Sequence, residues 1–303
     1  MKRALLIWNP AATTTSVGVR DVIARALASD LHVEIAETRQ RRHATDIASA
    51  AATYGDVDLA VVLGGDGTIN EVINGLAGTR VALAAIPGGG TNVFARTLGY
   101  PNDPVEATSK LLANIRAESI RTIPLGRING RAFAFCAGVG FDAHVVRAVE
   151  SRPAARRVMG EGLFIASALR LWMTPGAHRR TTMEVRWETG EVQGARVIVV
   201  GNSDPYTYLG RRPFRLVPDA TLDHASLDAT VLRSLGPLHV GRILASSFKT
   251  GSHHPATAHT LRSVQSLTIS CAGAVPYQVD GDVVGEASHL SIWSEPSALR
   301  VIA

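Results

Sequence analysis

A chain of 303 residues, 46% hydrophobic and 19% charged, is long enough for two domains with cores of their own and too apolar to stay disordered. No apolar run reaches the ~18 residues of a membrane span, and the apolar start Ala4–Trp8 is cut short by Asn9-Pro10, which argues against a signal peptide and for a cytoplasmic protein. The net charge of +5 rests on arginine, because the only lysines are Lys2, Lys110 and Lys249; without aromatic–basic interleaving or a helix-turn-helix pattern, nucleic acid is not the expected partner, and an anionic membrane surface suits the charge better.

The first 125 or so residues alternate strand and helix as a parallel sheet demands. Leu5–Trp8 reads as a strand, and Val19, Val22, Ile23, Ala26 and Leu27 mark a helix. Leu31, Val33 and Ile35 alternate as a strand, with Ala44, Ile47, Ala48 and Ala51 on the helix after it. The apolar run Leu59–Leu63 lacks alternation and suits a strand covered on both faces. It breaks into Gly64-Gly65-Asp66-Gly67, after which Ile69, Val72, Ile73 and Leu76 fall on one helix face. A second such unit follows: the strand Val81–Ile86, then Pro87-Gly88-Gly89-Gly90-Thr91-Asn92, then a helix from Val93 and Phe94 that Thr91 or Asn92 is placed to cap. Arg96 lies one turn in, within reach of an anion. Asp103-Pro104 opens one more helix, through Leu111, Leu112 and Ile115.

Beyond Ile123-Pro124 the rhythm shifts to short alternating segments: Ala132–Cys136, Met183–Trp187, Arg196–Val200, Leu227–Leu232, Leu267–Ser270, Pro276–Asp280 and Leu290–Trp293. That spacing predicts a β-sandwich. An arginine-rich helical insertion over 143–180 interrupts it, either as amphipathic helices packed on the sandwich or as a flap that admits lipid or rests on a bilayer. Cys136 and Cys271 lie in or beside strand-like stretches and are expected as buried, reduced thiols. The fold class is therefore α/β plus all-β: a doubly wound parallel α/β domain over 1–125, and an antiparallel β-sandwich over 126–295.

Glycines between a buried strand and a helix make an anion site, because helix-start N–H groups lack partners and a phosphate can approach closely. Asp66 beside them repels phosphate unless it holds a cation or accepts a proton, which points to a metal-bridged nucleotide or an activated hydroxyl. Neither turn carries the lysine of a P-loop, and neither fits the dinucleotide fingerprint. Asp280-Gly281-Asp282 offers two carboxylates at a strand end, one to orient or hold metal and one to take a proton, or simply an Asp-Gly hairpin. His253, His254 and His259 have no cysteine or acid to complete a zinc set, and no nucleophile elbow occurs. Arg39, Arg41 and Arg42 are either a solvated face or phosphate contacts.

Gly64–Glu71 followed by Pro87–Arg96 resembles the diacylglycerol kinase catalytic family, which includes bacterial soluble lipid kinases and is related to the sphingosine and ceramide kinases. Asn9-Pro10, Thr38, Gly138-Val-Gly140-Phe-Asp142-Ala143 and Asp280-Gly281-Asp282 follow in that family's order, over nearly the whole chain. The resemblance implies an NAD kinase/diacylglycerol kinase-like first domain completed by a return strand at 296–303, with lipid taken by the sandwich. It implies ATP and Mg2+, an ATP-dependent lipid kinase acting on diacylglycerol in phospholipid biosynthesis, and transient peripheral attachment to the membrane's inner face; a homodimer is compatible. By matching positions, ATP falls to Asn9, Pro10, Ala11, Ala12, Thr13, Thr38, Gly64, Gly65, Asp66, Gly67, Thr68, Ile69, Asn70, Glu71, Gly90 and Thr91. Asp66 organises the phosphate–metal cluster, Asp282 stands where the family has a glutamate base, and Asp280 is its alternative.

The chain departs from the family at the cation positions. Val93, Pro124 and His224 replace family acids, so an accessory magnesium site must be absent or rebuilt around Asp223, with Thr221 and Ser226 giving carbonyls and His224 beside them. NAD kinase, which shares the Gly-Gly-Asp-Gly turn, and a catalytically impaired lipid- or nucleotide-binding regulator are the alternatives.

Overall fold

The computed structural model describes residues 2–152, 155, 159–160, 162–174, 176 and 181–303. Its contacts fall into two units, Met1–Leu125 with Pro296–Ala303, and Gly126–Glu295.

In the first unit β1 (Lys2–Trp8), β2 (Leu31–Glu37), β3 (Leu59–Gly64) and β4 (Ala82–Pro87) form a parallel sheet in the order β4-β3-β1-β2. Every residue of β3 and β4 is buried, as their unbroken apolar runs require. The helices are α1 (Val17–Leu27), α2 (His43–Tyr54), α3 (Asp66–Leu76), the short α4 (Val93–Thr97) and α5 (Pro104–Arg116). Local chemistry starts α5: Asp103 accepts from the Val105 and Glu106 amides and Pro104 supplies a preset φ. The closing segment returns to this unit, where Val301 pairs parallel with Leu83 of β4. From β1 the chain steps to β2 on one side, and from β3 to β4 on the other. The strand order therefore reverses between β1 and β3, and the loops leaving their carboxyl ends part there, which is where open α/β sheets bind ligands.

The second unit pairs antiparallel strands around one core that includes Phe133, Val139, Ile198, Leu227, Val231, Ile269, Val279 and Leu290. The path runs β14 (His259–Val264), β13 (Leu227–Leu232), β10 (Val197–Gly201), β7 (Cys136–Gly140), β15 (Ser266–Val279) and β16, which begins at Asp282; β8 (Met183–Trp187) pairs with β15, and β9 (Gly190–Ala195) with β8. β5 (Ile120–Ile128) pairs with β6 (Arg131–Phe133), and β11 (Thr207–Leu209) with β12 (Arg212–Phe214). Its helices are α6 (Phe141–Glu150), α7 (Gly162–Met173) and α8 (Pro237–Ser247).

Several expectations are corrected here. The segment expected as one strand over 132–136 is broken, because the Ala134 and Phe135 amides donate to Asp280 instead of a ladder. The segments expected over 267–270 and 276–280 fall on one bulged strand, β15, whose register shifts between Ser270 and Val275, except that Asp280 lies in the turn after it. Helix α8 is not among the expected elements, and His259 opens β14. Cys271 is half-buried, not buried, and its thiol donates to the Thr182 carbonyl. Of the helical insertion expected over 143–180, residues 153, 154, 156–158, 161, 175 and 177–180 lie outside the described residues.

Candidate active site

The loops after β1, β3 and β4 are stitched to one another. The Gly88 amide donates to the Gly64 carbonyl at 2.8 Å, Thr14 N to Gly88 O at 3.0 Å, and Asn9 N to Leu63 O at 3.1 Å. Asn9 also bridges outward: its Nδ2 donates to Thr68 Oγ1 at 2.8 Å, and its Oδ1 accepts from the Ala11 amide at 2.9 Å. Pro10, Ala11 and Thr13 are exposed and Ala12 is half-buried, so this loop lies open beside the switch point.

The glycines meet backbone to backbone. A Cβ on Gly89 would stand 2.8 Å from Gly65 Cα, one on Gly88 2.8 Å from Gly64 N, and one on Gly64 2.9 Å from Thr68 Cβ. Gly88 and Gly89 are glycine because the two turns touch, whereas Gly64 is crowded within its own turn by the Thr68 side chain. Gly90 differs: it is exposed, and a Cβ there meets nothing within 4 Å. Packing does not demand glycine at 90, and its backbone stays accessible on the turn.

Asp66 ties the turns together. Its Oδ2 accepts from the Val93 amide and its Oδ1 from the Phe94 amide, each at 3.0 Å, and Thr91 Oγ1 donates to Oδ2 at 3.3 Å. It thus caps α4, a role expected of Thr91 or Asn92. Asn92 occupies the cap position in left-handed conformation, but its side chain turns back to the Gly89 amide and carbonyl, 2.8 Å each. Glu71 does the same for α2, accepting from Arg42 N at 2.8 Å and Ala44 N at 3.2 Å.

Glu71 is among the residues expected at ATP, and in the structure its carboxylate completes a helix start. The Ile69 side chain is 1% exposed in the core, and its amide donates to Gly65 O. Asn70 is buried and holds the Asn74 amide group through its carbonyls, and Thr68 and Thr38 are buried too. Gly64, Gly65, Gly67 and Thr91 sit on the two turns with Asp66 and Gly90.

In the second unit, Val279 pairs with Asp282 across a two-residue loop, Asp280-Gly281, in which both residues have positive φ, 49° and 83°. This is the hairpin geometry an Asp-Gly pair favours. Its two carboxylates have different environments. Asp280 is 4% exposed and receives three backbone amides: Ala134 at 2.7 Å, Phe135 at 3.0 Å and Cys136 at 3.1 Å. That carboxylate fastens the Ala134–Cys136 segment to the hairpin. Asp282 is half-buried.

Behind the hairpin lies a polar group the sequence reading did not assign. Gln278, fully buried, accepts from the Gly281 amide at 2.9 Å and donates to Asp142 Oδ2 at 2.9 Å, while Tyr206 Oη donates to Asp142 Oδ1 at 2.7 Å. Burial pushes the Asp142 carboxyl up from its usual range, and the hydrogen bonds from Tyr206 and Gln278 work against that rise. Burial, and secondarily the Asp142 charge, pushes the Tyr206 phenol well above its usual value. Gly138 makes room, since a Cβ on it would overlap Asp142 Oδ2 at 1.7 Å. The quoted Gly138–Ala143 motif held the signal for Asp142; nothing local marks Tyr206 or Gln278.

The loop expected to rebuild a magnesium site does not fit one. Thr221 Oγ1 donates to Asp223 Oδ2 at 3.2 Å within their own turn, Asp223 and His224 are exposed, and Ser226 is half-buried. Even with the Thr221 and Ser226 carbonyls, one exposed carboxylate and an imidazole are a poor set for a hard cation that demands octahedral oxygen. Among the described residues no three His, Cys, Asp or Glu side chains converge.

Comparison with known proteins adds the following. The family model described as "Diacylglycerol kinase catalytic domain" matches residues 3–128, and that described as "YegS C-terminal NAD kinase beta sandwich-like domain" matches residues 136–303. The diacylglycerol kinase of Bacillus subtilis (strain 168) is 29% identical over 298 residues, spanning 94% of this chain and 91% of the relative. A solved chain from Bacillus anthracis str. Sterne, provisionally assigned as a diacylglycerol kinase, superposes with a TM-score of 0.78 at 25% identity, over 99% of this chain and 95% of that one. An NAD kinase from Archaeoglobus fulgidus in complex with ATP shares the fold, with a TM-score of 0.56 at 12% identity over 99% of this chain and 93% of the other.

Proposed function

The chain belongs to the diacylglycerol kinase catalytic-domain family, and from that premise we propose that it is an ATP-dependent lipid kinase converting diacylglycerol to phosphatidic acid. The observation that carries the nucleotide half of this reading is the pair of glycine turns at the switch point of the parallel sheet, held together by Asp66 and leaving Gly90 open. In this reading Gly90 and the loop from Asn9 to Thr13 meet the triphosphate, and magnesium enters bound to ATP.

Asp282, on the Asp280-fastened hairpin, takes the proton from the lipid hydroxyl. The hydroxyl oxygen bonds the γ-phosphorus, the bond from that phosphorus to the bridging oxygen breaks, and ADP leaves. Holding the base on a hairpin with both turn residues bonded to the core limits its travel, and orientation of this kind supplies much of the acceleration. A lipid acceptor is favoured by α7, where Ile165, Leu169 and Met173, spaced four apart, are 55%, 49% and 62% exposed. Such a stripe suits transient contact with a bilayer. No helix among the described residues is long and apolar enough to cross a membrane.

The test is transfer from labelled ATP to separate panels of diacylglycerol in micelles, sphingosine and NAD. Phosphatidic acid is the expected product; label on NAD alone would overturn the assignment. Asp282→Asn is expected to lower kcat by roughly two to four orders of magnitude with ATP affinity unchanged. Wild-type turnover in that variant would remove Asp282 from the chemistry.

A further inference from the structure

At the end of the second unit's sheet remote from the Asp280-Gly281 hairpin there is a cavity of ≈ 410 Å³, lined among others by Arg196, Arg233, Ser234, His239, Thr257 and His259. The strand register sets its place. The hairpin binds Cys136 through the Asp280 amide, Cys136 pairs with Gly201, and Val197 pairs with Gly140 at the other end of β7. Arg196 precedes Val197, so it lies five residues along the strand from Gly201, about 17 Å at the usual rise.

Two features of this cavity agree. Among the described residues no carboxylate lines it. Among the described residues neither Arg196 nor Arg233 is in an ion pair, although Arg127, Arg147, Arg186 and Arg215 in the same unit each hold a carboxylate. A concave site offering two guanidinium groups, two imidazoles and the Ser234 hydroxyl, with no negative group among the described residues to satisfy them, is built for a compact oxyanion with several acceptor oxygens.

We propose that this cavity binds a phosphate group, as a second anion site separate from the chemistry at the hairpin. The group is either inorganic phosphate or the phosphomonoester head of an anionic lipid, and both present the same tetrahedral oxygens. The inference stands apart from the assignment of Asp282, because it uses none of the residues given a part in transfer.

The ring signals of His239 and His259, assigned by H239Q and H259Q, report this cavity and not the nucleotide turns. In the full-length protein, inorganic phosphate is expected to shift both saturably. Arg196→Gln or Arg233→Gln should raise the half-saturating concentration by about tenfold, the loss of one charge-assisted hydrogen bond, while Arg25→Gln, an exposed charge in the other unit, should not. Flotation with phosphatidylcholine vesicles, with and without phosphatidic acid, separates the sources. Retention by phosphatidic acid that falls in R196Q and R233Q assigns the lipid head; retention indifferent to both variants assigns the free ion. Histidine signals that phosphate does not move, or moves equally in both arginine variants, would overturn the proposal. Unchanged thermal unfolding and basal kinase turnover in R233Q guard against misfolding as the cause.

Discussion

Asp280 and Asp282 are two residues apart and chemically identical, yet one is buried and the other half-buried. Three amides converge on Asp280, and its left-handed φ turns the side chain inward, so it fixes the Ala134–Cys136 segment beneath the hairpin. Asp280→Ala would leave three buried donors without an acceptor, a loss of about 3–5 kcal/mol. Urea unfolding should therefore show the second unit strongly destabilised, in contrast to Asp282→Asn, whose unfolding midpoint should match the wild type. Equal stability in D280A would mean that another acceptor reaches those amides.

At the scale of elements, helix starts are completed from a distance. Asp66 of α3 caps α4, and Glu71 of the same helix caps α2, so one helix orients the loops on both sides of it. The glycine turns divide into two kinds by the same reasoning. Gly89→Ala drives a Cβ to 2.8 Å from backbone and should cost about 1–3 kcal/mol. Gly90→Ala meets open space and should leave the melting temperature within a degree or two, yet raise the KM for ATP on the order of tenfold if a phosphate lies against it. A G90A enzyme with unaltered KM would take that turn out of nucleotide binding.

Across the whole molecule, the last eight residues belong to the unit that begins the chain. Leu299, Val301 and Ile302 are 1%, 0% and 4% exposed, and the Tyr100 hydroxyl donates to the Ile302 carbonyl at 2.8 Å. Burial pushes that phenol up to about 12, so it stays a donor across the working pH range. Burying three such side chains contributes about 5–9 kcal/mol, comparable with the entire stability of a domain. Deleting residues 296–303 should therefore unfold the first unit, seen as loss of helical circular dichroism; a truncated chain with native helicity would show that β4 tolerates an open edge.

The sequence alone determined the fold class, because period and turn chemistry are local. The unbroken runs at 59–63 and 81–86, the helical spacing from Ile69 to Leu76 and the glycine turns between them are each legible within a dozen residues. The family resemblance followed from those turns and their order. Helix α8 escaped notice because Gly241 and scattered exposed apolar residues, Leu238 at 64% and Leu244 at 46%, blur its periodicity. What only the tertiary structure decided are the partners of the polar groups. Asp66 reaches amides 27 and 28 residues away, Asp280 reaches across about 145, and Gln278 meets Asp142 across 136. A side chain's role as cap, fastener or exposed acid depends on which backbone donors are left over nearby in space, and sequence spacing carries no record of that.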